Sequence, residues 1–311
     1  MNEDIYKIRY VKLHFTAELI QDTTMPKYKA SALRGGMGEM LLRANCIRDR
    51  NCEMCDFESE CIVRRTMYSQ MEIRPAFMTA EVSVGYVIEC GNHHEDFKAG
   101  DRLDFNLILF GKTIVYFSQF LNAFYALGMQ GIGKEKSRFR IISVKNSGQR
   151  PIMEENNIYM KEYEILSLGD YITYRKRQLQ KEPPQGIIRF QSPLSMKYNK
   201  EIMTKFQPKA LLEGICRRLY ILACFEGIHT DPDEIRSHFL ERLPEVLNEQ
   251  HYFVQIRRYS NRKDAAMYLK GIEGSLTLQE IRKELLDLLL AGELIHIGSN
   301  TSFGFGKYRL L

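Results

Sequence analysis

Tyr6-Lys-Ile-Arg-Tyr-Val-Lys-Leu-His-Phe-Thr-Ala17 is the stretch from which the fold can be read outward. Val11, Leu13, Phe15 and Ala17 alternate with Tyr10, Lys12, His14 and Thr16, the period of a strand with one buried and one polar face. After Met25-Pro26-Lys27 the period changes. Ser31 reads as an N-cap, and Leu33, Met37, Met40, Leu41 and Ala44 follow at helical spacing. Gly35, Gly36 and Gly38 each cost that helix about 1 kcal/mol relative to alanine, so something must approach it closely. Two alternating runs, 80–89 and 102–110, read as paired strands joined by the polar turn Gly91-Asn92-His93-His94. Ile114, Phe117, Leu121 and Phe124 mark a helix that stops at Gly128, and the basic strand 138–144 closes the unit.

The same order then restarts. Strand 187–191 is followed by a helix with Leu212, Ile215, Leu219 and Leu222 that ends at Gly227, and strands 252–258 and 266–276 come next. A helix with Ile281, Leu285 and Leu288 ends at Gly292, and a short strand, 294–297, leads into a glycine-rich closing strand. Residues 151–184 are a polar connection with a strand pair, 159–166 and 171–174, ending at Pro183-Pro184. Two successive strand-helix-strand-strand-helix-strand units predict an α+β chain of tandem ferredoxin-like (RRM-like) domains, 1–150 and 185–311. Right-handed crossovers put both helices of each unit on one sheet face and leave the other open to a partner. That architecture hosts many unrelated functions, so the site has to be argued from its residues.

With 311 residues and 44% hydrophobic content, the chain supplies a core for each domain. It contains no run of eighteen apolar residues, and its start lacks the basic and apolar regions of a secretion signal, so no membrane association and a cytoplasmic location are expected. A net charge of +5 permits a nucleic-acid partner without demanding one. Local clustering says more: Lys134, Lys136, Arg138, Arg140, Lys145 and Arg150 face one acid, Glu135, and two further clusters are Arg175-Lys176-Arg177 and Arg257-Arg258 with Arg262-Lys263. One such cluster is an ordinary solvated face; several together point toward a phosphate backbone.

The terminal Gly298-Ser299-Asn300-Thr301-Ser302-Phe303-Gly304-Phe305-Gly306-Lys307-Tyr308-Arg309 is built for close backbone approach, and successive N–H groups in such a loop can cradle an anion. It matches neither the Walker nor the dinucleotide pattern, since no helix follows. A bulge in a terminal strand is the alternative reading. Cys46, Cys52, Cys55 and Cys61 leave the first helix inside a charged loop, as a small cysteine-rich insertion. Four thiolates at that spacing suit a structural Zn²⁺; a [4Fe–4S] cluster or four unligated thiols are the competing readings. Cys90, Cys216 and Cys224 lie in apolar patterns and read as core.

Several motifs in order, Tyr28-Lys29-Ala-Ser31-Ala-Leu-Arg34-Gly35, the cysteine cluster, Arg189-Phe190-Gln-Ser192-Pro193-Leu194, Tyr259-Ser-Asn261-Arg262, Lys270-Gly271-x2-Gly274-Ser275 and the 298–309 loop, resemble the CRISPR-associated pre-crRNA-processing endoribonucleases of the RAMP superfamily. The resemblance spans nearly the whole chain. It implies that the C-terminal loop and a basic cleft hold CRISPR repeat RNA, through Arg34, Arg257, Arg258, Arg262, Gly298, Ser299, Asn300, Thr301, Ser302, Gly304, Gly306 and Lys307. It implies cleavage of pre-crRNA at one phosphodiester by 2′-hydroxyl attack, with no catalytic metal, and delivery to a CRISPR interference complex by a monomer or homodimer. Members of that family often carry a histidine just after the glycine of the first helix, where this chain has Gly38-Glu39.

Catalytic candidates are therefore sought among His14, Tyr28, Lys29 and Glu39. His14 sits on the polar face of the first strand, either as a solvated side chain or within reach of the helix start. Tyr28 and Lys29 precede the helix and are suited to steadying a phosphate. Glu39 would serve as a base if its pKa were raised. His296, before the glycine loop, either faces RNA or pairs with a neighbouring strand. A non-cleaving crRNA-binding relative is the alternative function, and a metabolic α+β enzyme with a phosphate-binding loop is a third.

Overall fold

A strand forms at Arg9–Leu19 (β1) because its odd-numbered apolar side chains can all be buried on one face while Lys12, His14, Thr16 and Glu18 stay partly wet; Tyr10, expected on the polar face, is buried. The computed structural model describes residues 3–67, 85–155, 157–181, 186–260 and 265–311. It divides into two compact units, Tyr10–Ile165 and Met1–Arg9 with Leu166–Leu311. The break falls between Ile165 and Leu166, inside the connecting segment expected at 151–184, and the opening segment joins the C-terminal unit, where the Leu168 amide donates to the Ile8 carbonyl at 3.0 Å.

In the first unit β1 is followed by helices Lys29–Asn45 (α1) and Ile62–Met67 (α2), strands Tyr86–Glu89 (β2) and Arg102–Phe110 (β3), helix Phe117–Gln130 (α3), and strands Phe139–Lys145 (β4) and Pro151–Glu154 (β5). The core strands lie in the order β2-β3-β1-β4, all neighbours antiparallel, with β5 beside β4. This is the ferredoxin-like order. On the helix-covered face Phe15, Phe105 and Phe124 pack with ring centroids 4.9 to 5.2 Å apart. Two of the three glycines of α1 are explained by helix packing: a Cβ on Gly36 would fall on Leu127 of α3, and one on Gly38 on Met67 of α2, whereas one on Gly35 would meet nothing.

The second unit contains helix Leu168–Lys181 (α4), strand Ile187–Phe190 (β6), helices Pro208–Glu226 (α5) and Pro232–Leu240 (α6), the long hairpin Val246–Ser260 (β7) and Ala265–Leu278 (β8), helix Lys283–Ile295 (α7) and strand Tyr308–Leu310 (β9). The strand order is β7-β8-β6-β9, the same plan again. The tandem ferredoxin-like arrangement predicted from the two restarts is thus the observed one.

Several local expectations are corrected. The strand expected at 171–174 is the middle of α4, and 159–166 holds a 3-10 turn, Met160–Glu162, instead of a strand. The cap of α1 is Tyr28, not Ser31. α3 runs past Gly128 to a positive-φ Gly131. Likewise α7 passes through Gly292 to Ile295, taking in the first half of the strand expected at 294–297, and Gly292 lets the Tyr308 hydroxyl pass close on its way to the Leu289 carbonyl at 2.6 Å. Residues 80–84 of the second predicted strand, Pro183-Pro184, and Asn261, Arg262 and Lys263 lie outside the described residues.

Candidate functional site

At the N-terminal end of α1 the chain gathers several basic and aromatic side chains. Tyr28 meets the His93 ring edge-on at 5.2 Å between centroids, and Lys27 Nζ lies 5.8 Å from the Tyr28 ring. His93 and Lys27 are exposed and Tyr28 is half-buried. Sequence reasoning passed over His93, because a histidine in an irregular turn after β2 carries no periodic signal.

Lys29 does something other than expected. Only 1% exposed, it cannot meet a phosphate from solution. Its ammonium donates to the carbonyls of Asn92, at 3.1 Å, and His94, and lies 5.2 Å from the Phe97 ring. Burial pushes its pKa below the usual lysine value. The two carbonyls flank His93, so Lys29 fixes the turn that presents the imidazole to Tyr28.

His14 belongs to a polar chain on the helix-free face of the sheet. Asn106 Nδ2 donates to Glu89 at 2.8 Å, which leaves Asn106 Oδ1 as the acceptor for His14 Nδ1 at 2.8 Å. Nε2 of His14 then faces Asp104 at 3.6 Å. Glu89, 4% exposed, also binds Lys12 at 2.9 Å. These contacts fix the orientation of the His14 ring, with Nδ1 on Asn106 and Nε2 toward Asp104.

Glu39 is clamped by two guanidinium groups, Arg43 at 2.9 Å and Arg50 at 2.6 Å. Burial alone would raise its carboxyl, but the hydrogen bonds from Arg50 and Arg43 outweigh it and hold the group below the usual carboxylate range. A carboxylate so held is a poor proton acceptor near neutrality, so the raised pKa that a role as base requires is not found. Arg34 is half-buried on α1.

In the second unit the glycine loop is folded inward. Ser299 donates its amide to Ser195 at 2.6 Å, Gly306 to Pro193 at 2.9 Å, Lys307 to the Ser192 hydroxyl at 2.9 Å, and Phe303 and Gly304 to carbonyls within the loop. Positive φ at Gly298 (85°), Asn300 (64°), Gly304 (80°) and Gly306 (70°) lets the chain fold back on itself. A Cβ on Gly306 would collide with the Ile297 carbonyl. The expected cradle of open amides is therefore largely satisfied by protein carbonyls. His296 is likewise not turned outward: fully buried, it donates from Nδ1 to the Phe305 carbonyl at 2.9 Å.

What the loop offers outward is side chains. Ser299 is exposed, and Asn300, Ser302 and Lys307 partly so; Thr301 is 8% exposed. Arg258 lays its guanidinium over the Phe303 ring at 4.6 Å, while its neighbour Arg257 is exposed. The loop thus carries a stacked arginine, hydroxyls, an amide and a lysine on a rigid backbone.

Comparison with known proteins accounts for both halves. Residues 8–167 match the family model of the AF_1859 N-terminal domain, and residues 188–308 match that of the CRISPR-associated endoribonuclease Cas6. Residues 188–308 belong to the CRISPR-associated endoribonuclease Cas6 family. An uncharacterised protein of Archaeoglobus fulgidus is 21% identical over 290 residues, covering 92% of each sequence. Among solved structures, a partial Cas6-RT-Cas1–Cas2 complex has a TM-score of 0.58 at 14% identity, covering 98% of this chain and 46% of that one. The present chain therefore spans less than half of that polypeptide. Two Cas6 product complexes have TM-scores of 0.54 and 0.51 at 14% and 16% identity, with 98% and 97% of this chain and 100% and 99% of theirs covered. At these identities the likeness to Cas6 structures is one of fold. Members of the family are endoribonucleases of CRISPR RNA processing. Among the described residues no helix is long and apolar enough to cross a membrane.

Proposed function

We propose that this protein binds CRISPR repeat RNA and cuts pre-crRNA at one phosphodiester by internal 2′-hydroxyl attack, with acid–base groups at the start of α1. The observation that carries the proposal is the Tyr28–His93 pair beside Lys27. An imidazole suits the role of general base and a phenol that of general acid. His93 takes the 2′-hydroxyl proton, O2′ bonds to phosphorus, and the P–O5′ bond breaks as Tyr28 delivers a proton to O5′. The products are a 2′,3′-cyclic phosphate and a free 5′-hydroxyl. Lys27 steadies the charge on the pentacoordinate phosphorus. Arg257, Arg258, Lys307 and the hydroxyls of the glycine loop grip the RNA backbone, and Arg262 is a further candidate for that role. Delivery of the product to a CRISPR interference complex is part of the same proposal, as is action in the cytoplasm.

The test is incubation of end-labelled repeat RNAs with excess protein in EDTA, followed by analysis of the product ends. A single cut with a cyclic phosphate is expected, and His93→Ala and Tyr28→Phe should each slow it by about 10²- to 10⁴-fold while binding persists. Equal rates in both variants would remove these residues from the chemistry. Tight, salt-sensitive binding without any cut would instead establish the non-cleaving reading, which the clamped carboxylate of Glu39, at the place where relatives often carry a histidine, favours.

A further inference from the structure

The loop between α1 and α2, residues 46–61, inverts the ordinary pattern of burial. It is built of turns alone, and none of its residues is buried. Its sheltered positions are Cys46, Cys52, Cys55, Glu58 and Cys61, whereas Ile47, Met54 and Phe57 stand 68%, 71% and 56% exposed. The hydrophobic effect orders a loop by burying such apolar side chains, and here they point out while the thiols point in. A loop of more than about 12–15 residues without secondary structure or core needs another source of order.

Three further features converge on the thiols. Cys46, Cys52, Cys55 and Cys61 line one pocket. Positive φ at Asp49 (47°) and Arg50 (69°) curls the chain after Cys46 so that the Arg50 amide donates to Cys46 Sγ at 3.1 Å, and the Cys55 amide closes on the Cys52 carbonyl at 3.2 Å. Arg48, Arg50 and Arg64 border the same pocket, and Arg50 is tied to Glu39 of α1 at 2.6 Å. Four thiolates around a divalent ion carry two net negative charges; the three guanidinium groups lie near them, paired with Asp56, Glu39 and Glu58 respectively. Among the described residues the thiols share the pocket without being gathered to the separations an ion imposes, so binding would draw them together.

We propose that Cys46, Cys52, Cys55 and Cys61 bind one Zn²⁺ as a closed tetrathiolate centre that orders this loop. With all four positions filled by protein, the ion takes no part in RNA cleavage. The site is independent of the assignment of the catalytic residues.

The decisive measurement is elemental analysis of the full chain purified without oxygen, with reconstitution by Co²⁺ alone as the probe. About one zinc per chain is expected, with sulfur-to-cobalt charge-transfer and tetrahedral d–d bands after exchange. Cys52→Ser with Cys55→Ser should lose the metal, and Cys90→Ser, outside the loop, should keep it. Wild-type protein that holds no metal, gives no tetrahedral cobalt spectrum and shows all four thiols freely reactive would overturn the proposal whether or not the variants fold. Iron with sulfide and a broad absorption band near 400 nm would overturn the choice of zinc in favour of a cluster on the same thiolates.

Discussion

Glu293 offers the sharpest test of how the C-terminal unit holds its last strand. Its side chain is 1% exposed and accepts from Arg175 at 2.8 and 3.1 Å, from Tyr171 at 2.9 Å, from Arg309 at 3.3 Å and from the Leu310 amide of β9 at 2.7 Å. Arg175 is 3% exposed and gives further bonds to the Leu310 carbonyl and Gln178. Glu293→Gln keeps the shape and removes the charge, leaving the Arg175 cation buried without its counter-ion. Breaking a buried pair in this way costs about 3–5 kcal/mol. Arg309, about one-third exposed, can turn to water and adds little. With a urea dependence of about 2 kcal/mol per molar, the unfolding midpoint should fall by about 1.5–2.5 M. The protein has no tryptophan, so the transition is followed by far-ultraviolet circular dichroism or tyrosine emission. The double variant Glu293→Leu with Arg175→Leu removes both charges and should lose less than the single one. A single-variant loss below about 1 kcal/mol, or a double variant worse than the single, would refute this account.

The other predictions concern the loops around the candidate site. Lys29→Met should release the turn that carries His93 and lower the cleavage rate by about tenfold or more with RNA affinity retained; an unchanged rate would mean that Lys29 only supports the fold. Gly306→Ala should lower the melting temperature, since left-handed backbone costs an alanine about 1–2 kcal/mol before any clash with Ile297 is counted; an unaltered melting temperature would contradict the packed loop. Arg257→Ala should reduce the slope of log affinity against log salt by about one, whereas a changed affinity at constant slope would mean that it contacts no phosphate. The Glu39 carboxyl has a lower pKa folded than unfolded, so its stabilisation is complete above the unfolded value of about 4.3 and is lost as pH falls through the folded value. Acid titration of Glu39→Gln should therefore show a shallower loss of stability than wild type over that range, and identical acid limbs would count against the clamp.

The fold was legible because its signals are periodic. The alternation in β1 and the helical spacing of Leu33, Met37 and Leu41 are local consequences of which face is buried, and each recurs in the second unit. The glycines were legible only as a demand for close approach. Whether they meet a neighbour or a ligand depends on long-range packing: Gly36 meets Leu127, and Gly292 meets Tyr308. The same limit hid the site. His93 lies in an aperiodic turn, brought to Tyr28 by a buried lysine whose sequence context looks like surface loop.

That limit also separates the two jobs of the glycine loop. Its amides at Ser299, Gly306 and Lys307 are committed to Ser192, Pro193 and Ser195, so the backbone that looked made for an anion is made for its own neighbour. The commitment has a use. A loop pinned by its own amides and by His296 is already ordered before the proposed RNA contact, and it holds Phe303 where the Arg258 guanidinium can lie over it at 4.6 Å. The stacking and the contact of Arg258 Nη2 with Met267 Sδ at 3.9 Å together fix the direction of that guanidinium. In the proposed complex the glycines would therefore serve RNA through the rigidity they permit, and the contacts themselves would belong to the side chains.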